Sequence, residues 1–230
     1  MRGIQTINGH YASQLASPRY FPDNDGEAMC HTTMQFTWIG LLKYNAEAQY
    51  RETPNVFVAS HHLIYPVEGD PWIRIAPDVL IAYGPKKSAR GHYEVWERQG
   101  IFPQVIFEVA SPYLYDDEMV SKFEFYQHYG AEEYYLIRQE AMSIEGWIRA
   151  ENRLIEIPNM DGYKSPRLGW TFHCSKFEIS IDGPTGQPLR NPGQLLFELE
   201  WTKNYCEAAL ERNVRLAAKL RELGIDPDAL

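Results

Sequence analysis

Three ionisable residues follow one another along a strand–strand–helix pattern, and their types suit metal-dependent hydrolysis. Asp78 follows Pro77 at a strand-like segment, Glu108 ends an otherwise apolar run, and Lys122 lies on the helical stretch that comes next. An ionised carboxylate beside a buried strand must be paired, hydrogen-bonded or bound to a cation. Two such carboxylates with a nearby lysine are what a magnesium-dependent phosphodiesterase requires. The triad therefore predicts cleavage of a nucleic acid.

The predicted site depends on how two strands pair. If the strands of Asp78 and Glu108 are antiparallel neighbours, both carboxylates can face one cleft. Mg²⁺ keeps several waters, so the two carboxylates and the backbone carbonyl of Val109 suffice as its protein ligands. Lys122 would hold or activate the attacking water and offset the charge of the transition state. The predicted cofactor is Mg²⁺, with Mn²⁺ as the alternative.

The ordered motifs resemble the PD-(D/E)xK nuclease superfamily, and within it a restriction-endonuclease-like family that is expanded in cyanobacteria. The matching stretches are 76–79, 103–112, 122–123 with Tyr126, 129–130, 133–135 and the tail 216–227. The resemblance implies a DNA substrate, with Asp78 and Glu108 as metal ligands. It also implies an α+β fold, in which an α/β/α restriction-endonuclease-like core has a mixed sheet flanked by helices and carries a C-terminal helical arm.

The chain also departs from the pattern of that family. The superfamily lysine would stand two residues after the glutamate, where this chain has Ala110, and the resemblance makes Lys122 its replacement. Glu27 resembles the glutamate of the family's N-terminal Asp-Gly-Glu, which makes it a fourth catalytic candidate, as an outer-sphere acid. Arg138 stands where the family usually has aspartate, and residues 29–31 also differ. These departures leave open a diverged or inactive copy.

Periodicity and turn signals predict the elements that hold these residues. Helices are expected over 32–50, 116–129 and about 193–223, and strands over 56–60, 73–83, 105–110, 133–138, 146–149 and 153–157. A short helix is expected within the loop 84–103, and turns with isolated strands over 158–193. The predicted domains are residues 1–192 and a C-terminal extension, 193–230.

Composition narrows the class of protein. The chain has 230 residues, of which 44% are hydrophobic, and this suits one domain with an added arm. The formal charge of -9 counts against a large DNA-coating surface but allows a basic cleft. No apolar run approaches the roughly 18–20 residues that span a bilayer. With no secretory signal and three widely spaced cysteines, a cytoplasmic protein with reduced thiols is expected.

Structural alternatives exist for each candidate residue. The two carboxylates of the triad could be tied to backbone amides or to Arg74 and Arg90. Lys122 could pair with Glu118 one helical turn away. The pair His61-His62 has no third ligand at metal spacing and is interpreted as a surface pair.

Two functional hypotheses from different classes follow. The first is a magnesium-dependent DNA endonuclease. The second is a catalytically inactive nucleic-acid-binding or assembly protein on the same fold, favoured by the acidic charge and the missing lysine at position 110. A homodimer is expected because the last helix has a weak apolar seam. The seam comprises Leu199, Thr202, Cys206, Ala209, Asn213, Leu216, Leu220 and Leu223.

Overall fold

A mixed sheet of six strands organises the larger of two units, Met1–Leu189 and Arg190–Leu230. The computed structural model describes residues 21–23, 32–84, 91–110, 116–224 and 226–227. The helices are α1 (Thr33–Gln49), α2 (Asp116–Tyr129) and α3 (Pro192–Glu222), with a 3-10 turn at Trp96–Arg98. The strands are β1 (Val56–Ala59), β2 (Leu63–Tyr65), β3 (Val79–Tyr83), β4 (His92–Glu94), β5 (Val105–Ala110), β6 (Glu133–Arg138), β7 (Ser143–Ala150), β8 (Arg153–Glu156), β9 (Thr171–Cys174) and β10 (Ile179–Asp182).

The strand order of the sheet is β1-β3-β5-β6-β7-β8. The β5–β6 pair is parallel and is connected through α2, whereas every other neighbouring pair is antiparallel. This topology confirms the predicted α+β class with a mixed sheet. Strands β3 and β5 are antiparallel neighbours, with Val79 opposite Phe107, which is the arrangement that the predicted site requires.

Alternate residues of the central strands belong to two hydrophobic clusters, one on each face of the sheet. Phe107 and Val109 of β5 pack with residues of α1 and with Trp170 and Phe172. Ile106 packs on the opposite face, where Tyr126 of α2 also lies. Because side chains alternate along a strand, Glu108 shares the α2 face with Ile106. The long apolar run of β5 is therefore explained by burial on both faces.

The predicted helices and strands agree best with the structure where the apolar pattern of the sequence is strong. The structure has α2, β5 and β6 at the predicted residues. The prediction of one strand over 73–83 is wrong in its first half, since a strand forms only at Val79–Tyr83 and Ile75 makes an isolated bridge to Ile64. Pro77 has no N–H to donate to a ladder, which explains this late start. The described part of the loop 84–103 contains the predicted short helix, a 3-10 helix at Trp96–Arg98, and also the strand β4, which was not predicted.

The second unit contains the 31-residue helix α3. Asn191 caps its first turn in a capping box with Gln194, which satisfies two of the free amide groups at the helix start. No residue of α3 is buried. Among the described residues, no helix is long and apolar enough to cross a membrane.

Glu133 at the start of β6 is a structural carboxylate. It is 1% exposed and accepts hydrogen bonds from Ser165 Oγ (2.5 Å), Tyr135 OH (2.9 Å) and the Arg167 amide (2.7 Å). Burial raises the pKa of this carboxyl group, and the three donors partly oppose that rise. These bonds tie β6 to the segment that precedes β9.

We expect Glu133→Gln to lower the free energy of unfolding by about 1–3 kcal/mol, because an amide nitrogen replaces one acceptor among buried donors. Urea denaturation measures this change. Glu132→Gln is the matched control, since its exposed pair with Arg167 is expected to contribute at most about 1 kcal/mol. Equal losses in both variants would contradict a structural role specific to Glu133.

Candidate functional site

A cross-strand hydrogen bond places Asp78 beside the strand of Glu108. The backbone N–H of Val109 donates to Asp78 Oδ2 at 2.7 Å. Asp78 directly precedes β3, and the antiparallel pairing of β3 with β5 brings it level with the end of β5. Asp78 is 7% exposed and Glu108 is 1% exposed, so both carboxylates are buried. The structure thus brings together the two carboxylates that the sequence predicts as metal ligands.

Helix α2 supplies two hydrogen-bond donors to Glu108. Lys122 Nζ lies 3.0 Å from Glu108 Oε2, and the Tyr126 hydroxyl donates to Glu108 Oε1 at 2.5 Å. Lys122 and Tyr126 are four residues apart and therefore share one face of the helix. Glu108 is thus the main partner of Lys122, in place of the alternative pair with Glu118 that the sequence left open.

Burial and neighbouring charges shift the pKa values of Glu108 and Lys122. Burial raises the pKa of Glu108 to about 7, the nearby Asp78 adds to the rise, and Lys122 opposes it. Burial lowers the pKa of Lys122, but the attraction of Glu108 and Asp78 outweighs that effect, so the pKa of the lysine is raised. Lys122 is therefore a cation at neutral pH.

Gln35 of α1 is a site residue that sequence reasoning missed. Its side chain is buried, and its Nε2 donates to the Val109 carbonyl at 3.0 Å. Both backbone groups of Val109 are therefore bonded to side chains from other elements. A signal was present in the sequence, because Gln35 precedes Ile39 and Leu42 at helical spacing on the buried face of α1.

His61 lies against Asp78, so its interpretation as a surface residue is wrong. Its Nε2 is 3.3 Å from Asp78 Oδ1, and its side chain is 17% exposed. The backbone of His61 is left-handed (φ 52°), and its N–H donates to the Pro77 carbonyl at 3.1 Å. Neither ring nitrogen has a hydrogen-bond partner among the described residues. Glu27 and Arg90 lie outside those residues.

The oxygen donors at this site fit a hard cation such as Mg²⁺. The described residues contain no group of three or more His, Cys, Asp and Glu side chains able to hold a metal. Two carboxylates and a carbonyl nevertheless suit Mg²⁺, which keeps several waters. Each oxygen of Glu108 accepts one bond and retains further acceptor capacity, as does the Val109 carbonyl.

Comparison with known proteins gives the family. The mixed sheet with its flanking helices and paired carboxylates defines an α+β protein with a candidate hydrolytic site. The family described as "Uma2: Putative restriction endonuclease" matches residues 31–172, and the chain belongs to it. This match confirms the predicted resemblance to a restriction-endonuclease-like family.

Other comparisons add little. No curated protein matches the chain. Among solved structures, the chain is similar to a putative nuclease belonging to DUF820 from Anabaena variabilis ATCC 29413, with 9% sequence identity and a TM-score of 0.45. The matched region covers 59% of this chain and 73% of that one.

Proposed function

We propose that this protein is an endonuclease that hydrolyses DNA phosphodiester bonds at a PD-(D/E)xK-type site with Mg²⁺, or alternatively Mn²⁺. The observation that carries the proposal is the buried Glu108, which has Lys122 at 3.0 Å and lies on the strand whose next amide binds Asp78. Membership of a nuclease-like family supports a nucleic-acid substrate. The preference for DNA, the homodimer and the cytoplasmic location are parts of the same proposal.

The side chains of this site have separate roles in the proposed reaction. Asp78, Glu108 and the Val109 carbonyl would hold the cation, which supplies Lewis-acid polarisation of the phosphate and acidifies a water. Lys122 is protonated, so it orients that water or stabilises charge on the phosphate oxygens and does not act as a base. Tyr126 orients Glu108, and Gln35 orients Val109. Glu27 stays a predicted outer-sphere acid.

Nicking of supercoiled plasmid tests the proposal. We expect the wild type to cut with Mg²⁺ or Mn²⁺ and to stop when EDTA is added. The double variant Asp78→Ala, Glu108→Ala, purified in parallel and checked for folding by circular dichroism, is expected to be inactive. Cutting by both proteins would indicate a contaminant. Cutting by neither folded protein, on plasmid or on single-stranded DNA and RNA, would favour a binding or assembly role.

We expect His61→Ala to lower the cleavage rate about 10–100-fold, because its Nε2 lies 3.3 Å from Asp78 Oδ1 and the loss of a group beside a metal-binding carboxylate typically has an effect of this size. His61→Asn should recover part of the rate if the ring orients Asp78. His92→Ala is the matched control, since His92 is similarly buried and pairs with Asp23 away from the triad. Initial cleavage rates at saturating metal measure the effect. Equal rates for His61→Ala and wild type would exclude a role of His61 in positioning Asp78.

A further inference from the structure

The 31 residues of α3 leave an apolar surface that nothing in their own unit covers. No residue of the helix is buried, and its large exposed side chains include Leu199, Leu210 and Leu216. An isolated helix is only marginally stable in water, and most helical stability comes from packing an apolar face. Packing of the apolar positions of α3 against a partner would therefore stabilise the helix.

A heptad repeat with a weak apolar pattern runs from Leu195 to Leu223, the C-cap of the helix. The seam defined above (Leu199, Thr202, Cys206, Ala209, Asn213, Leu216, Leu220 and Leu223) occupies positions a and d of this repeat, and Leu195 occupies the d position before it. Thr202 satisfies its hydroxyl within the helix by donating to the Glu198 carbonyl at 2.7 Å, which leaves its methyl group for packing. A repeat of 3.5 residues is the pattern that winds helices into a left-handed coiled coil.

A second apolar stripe on α3 is too short to form a coiled coil. Phe197, Trp201 and Tyr205 are spaced four residues apart, and the rings of Trp201 and Tyr205 stack with centroids 5.6 Å apart. The stripe ends after two turns, because the next residues on that side of the helix, three and seven positions after Tyr205, are Ala208 and Arg212. The seam is therefore the longer of the two stripes.

We propose that the seam pairs with the same seam of a second copy of this chain to form a parallel, in-register coiled coil. Asn213 is a polar residue at an a position, where a single asparagine is known to specify two strands and their register. In a parallel pair each Asn213 amide faces its equivalent and can hydrogen-bond to it. In a fully overlapping antiparallel pair, where a positions face d positions, it would face Thr202 and lack an amide partner.

Charges beside the seam also fit a parallel pair. Glu198 occupies a g position and Lys203 the e position of the next heptad, so Glu198 of one copy faces the partner's Lys203. Glu198 accepts from Arg190 Nε at 2.9 Å, and a carboxylate has acceptor capacity for the lysine as well. The next g–e pair is Tyr205 with the partner's Leu210, which extends the apolar surface. No like charges face each other across these two pairs.

Light scattering on the full-length protein, at about 1–100 µM, tests the proposal. We expect a dimer, and we expect Leu216→Glu to raise its Kd by roughly 100-fold, because two carboxylates would be buried face to face. Val214→Glu is the matched control, since Val214 is 62% exposed, Leu216 is 52% exposed, and Val214 lies outside the seam. A monomeric wild type, or equal effects of the two variants, would overturn the interface.

Cysteine cross-linking tests the parallel orientation. Cys206 is an exposed free thiol in the seam, so it would face its equivalent across the dimer axis. We expect diamide, which accepts the two thiol hydrogens, to convert the dimer into a disulfide-linked species on a non-reducing gel. Cys206→Ser should abolish this species, and Cys206→Ser with Asn204→Cys, outside the seam, should not restore it. A wild-type dimer that does not cross-link, or cross-linking by the Asn204→Cys variant, would overturn the parallel register.

Discussion

Asp78→Asn is expected to reduce metal-dependent DNA cleavage by at least about 1000-fold while leaving the protein folded. Asparagine keeps the shape of the side chain and an oxygen that can accept from the Val109 amide, as Asp78 Oδ2 does at 2.7 Å. It removes the negative charge that would hold the cation. Single-turnover rates on a labelled duplex measure the loss, and Mn²⁺ titration followed by electron paramagnetic resonance measures the weakened metal binding.

Asp182→Asn is the matched control for this variant. Asp182 also pairs with a histidine, with its Oδ2 2.9 Å from His173 Nε2, but it lies on β10 outside the six-stranded sheet. We expect its cleavage rate and its Mn²⁺ affinity to equal those of the wild type. If Asp78→Asn cleaved as fast as Asp182→Asn, the metal-binding role of Asp78 would be excluded.

Lys122→Met is expected to lower the cleavage rate about 100–1000-fold, the range found when one donor to a transition-state oxygen is removed. Lys122→Arg keeps the charge but changes the donor geometry, so it should retain more activity than Lys122→Met. Because the lysine is not a proposed ligand, Mn²⁺ affinity should persist in Lys122→Met. Lys122→Met is therefore expected to lower the cleavage rate alone, whereas Asp78→Asn is expected to lower both the cleavage rate and the Mn²⁺ affinity.

Lys43→Met controls for the loss of a paired helical lysine. Lys43 of α1 pairs with Glu47 at 2.8 Å, four residues along the helix. Its replacement should leave the cleavage rate unchanged, and thermal melting of both methionine variants checks that they are folded. A Lys122→Met protein that binds Mn²⁺ and cleaves at the wild-type rate would exclude Lys122 from the reaction.

The sequence predicts the backbone of the site better than its side-chain contacts. The apolar run of β5 and the amphipathic pattern of α2 are local signals, and both elements form at the predicted residues. The contact of Lys122 with Glu108 can be predicted from these two elements, because a helix that connects two parallel strands must cross one face of the sheet. Gln35 and His61 approach the site only through tertiary packing, so no local pattern assigns their contacts.

Glu108 and Glu133 show most clearly what local patterns leave out. Both are glutamates in apolar strands, both are 1% exposed, and their strands are parallel neighbours. Glu108 points to the α2 face, where Lys122 and Tyr126 meet it. Glu133 points to the other face and binds Ser165. Strand register determines this difference, because a shift of one residue reverses the face of every side chain.

The measurement that tests the central claim most directly is plasmid nicking by Glu108→Gln and Glu133→Gln under identical conditions. The two variants make the same chemical change in two equally buried glutamates on opposite faces of one sheet. We predict that Glu108→Gln is folded and inactive, whereas Glu133→Gln is less stable and cleaves at nearly the wild-type rate below its melting temperature. Cleavage by Glu108→Gln at the wild-type rate would contradict a nuclease site at this carboxylate.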